Sequence, residues 1–235
     1  MPSFRLTEVI SLYRALCRWT LLGALVGLLC GSASALFLNL LERATRLQET
    51  HANLLYALPI AGLVLGAVYQ RFGKPIEGGS NLLLDRIHQE SGAESIPFRL
   101  APMVLLATVW THLFGGSAGR EGTAVQMGGT LASLLQRPLK LSTQEHRLLL
   151  MCGISGGFSS VFGTPLAGTL FGMEVLSLGL IRFEALLPCF VAAYIGDVVC
   201  KALGITHHIY TAGEIPVLLP PSGAGFCCWE CSPLE

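Results

Sequence analysis

Residues 115–123 read GGSAGREGT, a glycine-rich stretch that lies between two long apolar segments. The preceding segment ends at Phe114, and the following one begins at Thr123. Glycine favours a break in helical structure, so we predict that a new helix starts near Gly122 with several backbone N–H groups uncovered. A helix start of this kind carries a partial positive charge and can hold an anion without any fixed cation.

Glu121 lies where such an anion would bind. Its carboxylate can occupy the position itself, then take up a proton and swing away, which is the behaviour of a gate and of a proton carrier. The alternative is that Arg120 and Glu121 lie in a loop at the membrane surface and pair with each other.

A second glycine-flanked helix start is predicted at residues 78–81, which read GGSN. Ser80 and Asn81 could direct a hydroxyl or an amide toward an ion there. The alternative is an ordinary N-cap, since serine and asparagine are favoured at that position.

The composition indicates an integral membrane protein. The chain has 235 residues, of which 52% are hydrophobic and 13% charged, and its formal net charge is zero. Soluble domains carry about twice that fraction of charge, and disorder requires low hydrophobicity. Without net positive charge we expect no nucleic-acid partner. The eight cysteines do not form a metal-ligand pattern, and we expect no metal, no cofactor and no enzymatic activity.

Long apolar segments predict an all-α, multi-pass protein with about eight helices, several of them broken by glycine. The predicted long helices cover residues 19–41, 53–70, 99–114, 148–173 and 184–203. The segment 148–173 contains Gly163 and Pro165, so we predict two helices there with a break between them. Broken helices inside a membrane are typical of transporters and channels.

Three motifs, in order, resemble the CLC family of chloride channels and anion/proton antiporters. GREG within residues 115–123 is similar to the family pattern G(K/R)EGP. Residues 163–174, GTPLAGTLFGME, are similar to (N/A)APLAGxLFxxE, and the GGSN segment falls at the family's serine-bearing GSGIP loop. The resemblance extends over about residues 15–215 and implies the first inverted repeat of a CLC-type fold, with broken, tilted helices.

The resemblance implies transport of fluoride or chloride, exchanged for protons in the full-length form, in a homodimer embedded in the lipid bilayer. Glu121 corresponds to the gating glutamate, and Glu174 to a glutamate on the helix that faces the dimer partner. The implied anion-binding residues are Ser80, Asn81 and the backbone amides of Gly122, Thr123 and Ala124. The implied location is the inner (plasma) membrane.

Departures from the family pattern favour its bacterial fluoride-exporting branch, whose motif also reads GREGT. Thr123 replaces the usual proline, and Val175 replaces the internal proton-transfer glutamate of chloride/proton exchangers. The choice between fluoride and chloride, and between channel and antiporter, stays open.

The length predicts only one of the two repeats of a complete subunit. We assign residues 1–215 to the membrane domain and expect 216–235 to be a disordered or frame-shifted tail. A truncated fragment that transports nothing is therefore an alternative. A remote alternative is a rhomboid-like intramembrane serine protease, because residues 153–156 read GISG and Ser155 could pair with His207.

Overall fold

The computed structural model describes residues 6–76, 78–88, 96–174 and 183–206, and none of these lies in a β-strand. The α-helices of the described part are α1 (Leu6–Thr50), α2 (Leu58–Phe72), α3 (Ser80–His88), α4 (Leu100–Leu113), α5 (Arg120–Leu134), α6 (Thr143–Phe162), α7 (Pro165–Glu174) and α8 (Leu186–Ala202). Short 3-10 helices are formed by Ala52–Ala57, Lys74–Ile76 and Phe183–Ala185. The all-α prediction is confirmed.

Three helical segments of the described chain are long and apolar enough to cross a membrane, namely Val9–Thr50, Ala52–Phe72 and Phe183–Ala202. They coincide with the spans predicted near residues 19–41, 53–70 and 184–203. The first helix is much longer than predicted, because α1 continues over 45 residues. At 1.5 Å per residue it measures about 68 Å, well beyond the roughly 30 Å of hydrocarbon in a bilayer.

The break predicted within residues 148–173 is confirmed. Gly163 ends α6 with φ of 71°, a left-handed conformation in which a side chain would be strained. Pro165 then opens α7, where its missing N–H removes no helical hydrogen bond. The chain reverses here, so α7 packs back against α6.

Helices α1 and α8 touch through their backbones along one glycine stripe. A Cβ at each of three glycines of α1 would lie 2.5–2.6 Å from a carbonyl oxygen of α8. The pairs are Gly23 with Pro188, Gly27 with Ala192, and Gly31 with Gly196. Because both numbers rise together in steps of four, the two helices run in parallel.

Helix α6 forms the centre of the bundle and is packed in the same way. Gly153 and Gly157 of α6 abut Gly128 and the Ala124 carbonyl of α5 so closely that a Cβ on any of these glycines would collide with backbone. The pairing runs in opposite directions along the two helices, which are therefore antiparallel. Close approach of this type is how helices associate in membranes, where lipid removes the hydrophobic drive.

Helix α2 is the least covered of the candidate spans, with 6% of its most apolar window buried. Apart from their own helix backbone, no atom of the described residues lies within 4 Å of the position that a Cβ would take at Gly62 or Gly66. One polar contact attaches α2 to its neighbour, since Trp110 Nε1 of α4 donates to the Ala61 carbonyl at 3.2 Å.

The start of α6 at Thr143 is defined by a capping box around Ser142. Ser142 N–H donates to Glu145 Oε2 at 2.9 Å, and Glu145 N–H donates to Ser142 Oγ at 3.3 Å. Arg18 of α1 lies 2.7 Å from the other carboxylate oxygen. The Ser142 backbone N–H, assisted by Arg18, holds the pKa of Glu145 below its ordinary value of 4.5.

Substitution of Gly27 by alanine should destabilise the bundle, because the new Cβ would lie 2.6 Å from the Ala192 carbonyl oxygen. Overpacking of this kind costs about 1–3 kcal/mol. The matched control is Gly62→Ala, which adds the same methyl group to open space. Thermal unfolding in detergent should show a lower midpoint for Gly27→Ala alone, and equal midpoints for both variants would contradict the packing.

The Glu145 contacts should make stability depend on acid pH. A carboxyl group whose pKa is lowered by folding stabilises the fold above its unfolded pKa, and that contribution is lost as the pH falls through the folded pKa. We therefore expect the thermal unfolding midpoint of the wild type to decrease when the pH is lowered below about 4.5. Glu145→Gln should be less stable at neutral pH and should show a smaller acid-dependent drop; an identical pH profile would argue against the capping role.

Candidate anion-binding site

Helix α5 starts directly after Gly119, whose extended backbone (φ −65°, ψ 134°) forms the N-cap without any side-chain hydrogen bond. The predicted start near Gly122 is wrong by two residues, because the extended Gly119 lets the helix begin at Arg120. The N–H groups without an intrahelical acceptor are consequently the first four, those of Gly119, Arg120, Glu121 and Gly122.

Glu121 lies exposed in the first turn of α5. Its Oε2 atom is 2.9 Å from the position that a Cβ at residue 119 would take, so a glycine there leaves room for the carboxylate. A negative charge at this end of a helix is stabilised by the free N–H groups. Within the described chain no ion pair joins Glu121 to the exposed Arg120, so the predicted alternative of mutual pairing is not supported.

The second predicted helix start is confirmed, and α3 begins at Ser80 after Gly79 with φ of 50°. Gln126 Nε2 of α5 donates to Ser80 Oγ at 3.1 Å. One turn further along both helices, the fully buried Leu83 packs onto Gly129, where a Cβ would collide with it. Helices α3 and α5 are therefore parallel neighbours whose N-termini lie at the same end.

Thr123 is buried, and its side chain is used between helices. Its hydroxyl donates to the Gly119 carbonyl at 3.3 Å and lies 2.7 Å from the hydroxyl of Thr108 on α4. Ala124 is fully buried against α6. Because α5 starts at Arg120, the N–H groups of Thr123 and Ala124 fall within the helical hydrogen-bond pattern. Their anion-binding role stays a prediction, and the helix geometry favours the four preceding amides.

The other predicted site residues lie apart. Asn81 is exposed, and its backbone N–H donates to the Gly78 carbonyl at 2.9 Å. Glu174 is exposed at the last position of α7. Val175 and the tail 216–235 lie outside the described residues, so the predictions made for them stay predictions.

Ser155, the nucleophile of the protease alternative, is fully buried in α6. It packs against Gly172 of α7, and its hydroxyl has no hydrogen-bond partner among the residues that the structure describes. A nucleophilic serine requires a base within hydrogen-bond reach and access to substrate. His207 lies outside the described residues, and the burial of Ser155 argues against the protease interpretation.

Sequence reasoning missed Gln126 and Thr108, which connect α5 to α3 and α4. A signal for Gln126 was available, because it follows Gly122 by four residues and therefore shares its helix face. No comparable signal points to Thr108, whose contact depends on how α4 and α5 pack.

The helices of the bundle are broken and packed through glycine, and α3 and α5 start at the same end of it. This arrangement defines a multi-pass α-helical membrane protein. A family profile described as "Voltage gated chloride channel" matches residues 61–228. Since this match includes more than half of the chain, the protein belongs to the voltage-gated chloride channel family.

Individual relatives agree with this assignment. The chain is 50% identical over 220 residues to a "Chloride/fluoride channel protein" of Pseudomonas syringae pv. tomato, covering 93% of this chain and 48% of the relative. The crystal structure of a CLC-type fluoride/proton antiporter superposes with a TM-score of 0.76 at 32% identity, covering 92% of this chain and 53% of that one. The chain thus spans about half the length of the proteins it matches.

A more distant structure supports the fold alone. A slow cyanobacterial Cl⁻/H⁺ antiporter superposes with a TM-score of 0.59 at 22% identity, covering 82% of this chain and 47% of that one. The expected CLC-type fold is confirmed.

The contact between α3 and α5 can be tested by a pair of substitutions. Gly129→Ala should push Leu83 away and destabilise the protein by about 1–3 kcal/mol. Leu83→Ala removes a fully buried side chain and is destabilising by itself, but the double variant should lose less than the sum of the two single losses, because the truncation makes room for the added methyl group. A double-mutant cycle from thermal unfolding measures the coupling, and additive effects would contradict this contact.

Proposed function

We propose that this chain forms one repeat of a transmembrane pathway for a small anion, fluoride or chloride, which the full-length form exchanges for protons. The observation that carries the proposal is that α3 starts against the second turn of α5, where Gln126 bonds to Ser80, while Glu121 lies in the first turn of α5. Uncovered N–H groups and a hydroxyl are suitable ligands for an anion that carries no hydrogen of its own.

Glu121 is proposed as the gate. Its carboxylate lies against Gly119, beside the same N–H groups that would bind an anion. A carboxylate and an anion therefore compete for one partial positive charge. Protonation removes the charge of Glu121 and would release the helix start to the anion, which links the movement of protons to that of the anion.

The identity of the anion is supported by the relatives. The Pseudomonas syringae protein is named for both chloride and fluoride, and the antiporter structure at 32% identity is named for fluoride. The GREGT motif, with Thr123 in place of proline, also favours fluoride. The proposed location is the inner (plasma) membrane, and a homodimer with Glu174 near the partner is carried over from the family resemblance.

A second candidate is a fragment that inserts and folds but transports nothing. The half-length match favours this candidate. A chain that covers 48% of its relative supplies only part of the lining of an anion pathway, and the rest of the lining has to come from other residues. Both candidates predict the same fold, so the discriminating measurement is flux.

The flux test uses two preparations in liposomes. The first is the purified 235-residue chain, and the second joins this chain to the remaining half of the Pseudomonas syringae relative. Fluoride and chloride efflux are followed with ion-selective electrodes, and proton movement with a pH dye. We expect the joined protein to pass fluoride faster than chloride; a folded joined protein that passes neither anion would refute the proposal.

Glu121→Gln in the joined protein should abolish proton movement, because an amide cannot take up the proton. Anion efflux should persist. Glu184→Gln, which changes an exposed glutamate in the 3-10 helix before α8, is the matched control and should leave both fluxes unchanged. Proton movement that survives in Glu121→Gln would remove the gating role.

A further inference from the structure

Gln126 occupies the space between the starts of α3 and α5. Its Nε2 atom donates to Ser80 Oγ at 3.1 Å. The same atom lies 3.5 Å and 3.7 Å from the positions that a Cβ would take at Gly79 and Gly122. Each helix start thus has a glycine where it approaches the Gln126 side-chain amide, and Gln126 lies between the two.

The hydrogen bond from Gln126 determines whether the oxygen or the hydrogen of the Ser80 hydroxyl remains available. An amide nitrogen only donates, so the serine oxygen accepts, and the serine hydrogen is not consumed by Gln126. Ser80 is half-buried, and its hydroxyl donates to no other group of the described chain. The contact therefore leaves one O–H donor available at the start of α3, where it could donate to an anion.

The position of Gln126 is itself well determined. It lies in the second turn of α5, where its backbone carbonyl accepts a hydrogen bond from the Thr130 hydroxyl at 2.6 Å. Leu83 and Gly129, one turn beyond, hold α3 against α5. With its backbone held in this way and its amide bonded to Ser80, Gln126 needs little rearrangement when a ligand binds, which lowers the cost of binding.

We propose that Gln126 is a positioning residue that orients the Ser80 hydroxyl toward the anion and thereby favours fluoride over chloride. This inference rests on the proposed function. Fluoride is smaller and concentrates the same charge, so it forms the stronger charge-assisted hydrogen bond and gains more from a correctly aimed donor. Chloride is larger and depends less on the direction of one O–H group.

The test measures anion binding to the full 235-residue chain in detergent by isothermal titration calorimetry. Sodium fluoride and sodium chloride are titrated separately, with sodium gluconate holding the ionic strength constant. Gln126→Leu removes the donor at similar size and should weaken fluoride binding by about three- to tenfold, with a smaller effect on chloride. Gln144→Leu, which changes an exposed glutamine of α6, is the control and should change neither.

A double-mutant cycle separates positioning from a general structural effect. If Gln126 acts through Ser80, Gln126→Leu should have no further effect on fluoride affinity in a Ser80→Ala chain. It should keep its full effect in a Ser80→Thr chain, which retains the hydroxyl. Additive losses in the Ser80→Ala chain would overturn the inference, because they would place the effect elsewhere.

Two further outcomes would overturn the inference. An unchanged fluoride-to-chloride affinity ratio in Gln126→Leu would overturn the inference while leaving the proposed function intact. A wild-type chain that binds neither anion would overturn it as well, whereas the liposome flux assay tests the proposed function independently.

Discussion

The fold depends on helices that touch backbone to backbone through glycine. In the α1–α8 and α5–α6 contacts a single added methyl group would collide with a carbonyl group of the facing helix. Lipid offers no hydrophobic reward for burying one apolar helix against another, so close van der Waals packing has to hold the bundle together. The same closeness packs α5 against α6 over its middle turns, whereas Arg120 and Glu121 at its start stay exposed. The location of the candidate anion site is thus a consequence of helix packing.

Helix α5 is a shared element whose faces have different partners. Gln126 and Gly129 face α3, Thr123 faces α4, and Gly128 faces α6. Glu121 precedes all of these contacts and lies exposed. A side chain that must move between two positions has to be free of packing, whereas the amides around it have to be fixed. Helix α5 meets both demands because its packing begins one turn after its start.

Much of this arrangement could be predicted from the sequence, and the rest depends on tertiary contacts. The break at Gly163 and Pro165 and the start of α3 at Ser80 follow from local backbone preferences, and both are confirmed. The start of α5 was predicted two residues too late, because nothing local distinguishes Gly119 from Gly122 as the N-cap. The ends of α1 were also missed. A hydropathy window stops at the first charged residues, whereas the helix itself continues past them. The contact of Gln126 with Ser80 joins residues 46 positions apart, and no periodicity reports such a pairing.

The parallel contact of α1 with α8 has a consequence for biosynthesis. Gly23 and Pro188 are about 165 residues apart along the chain, and a ribosome adds roughly 5–20 residues each second. Helix α1 therefore enters the membrane roughly ten to thirty seconds before the partner for its glycine stripe exists. During that interval the stripe faces lipid, the insertion machinery or another nascent helix. The α6–α7 hairpin, whose contacts are local, can close as soon as it is made, whereas the contact between α1 and α8 has to wait until α8 has been synthesised.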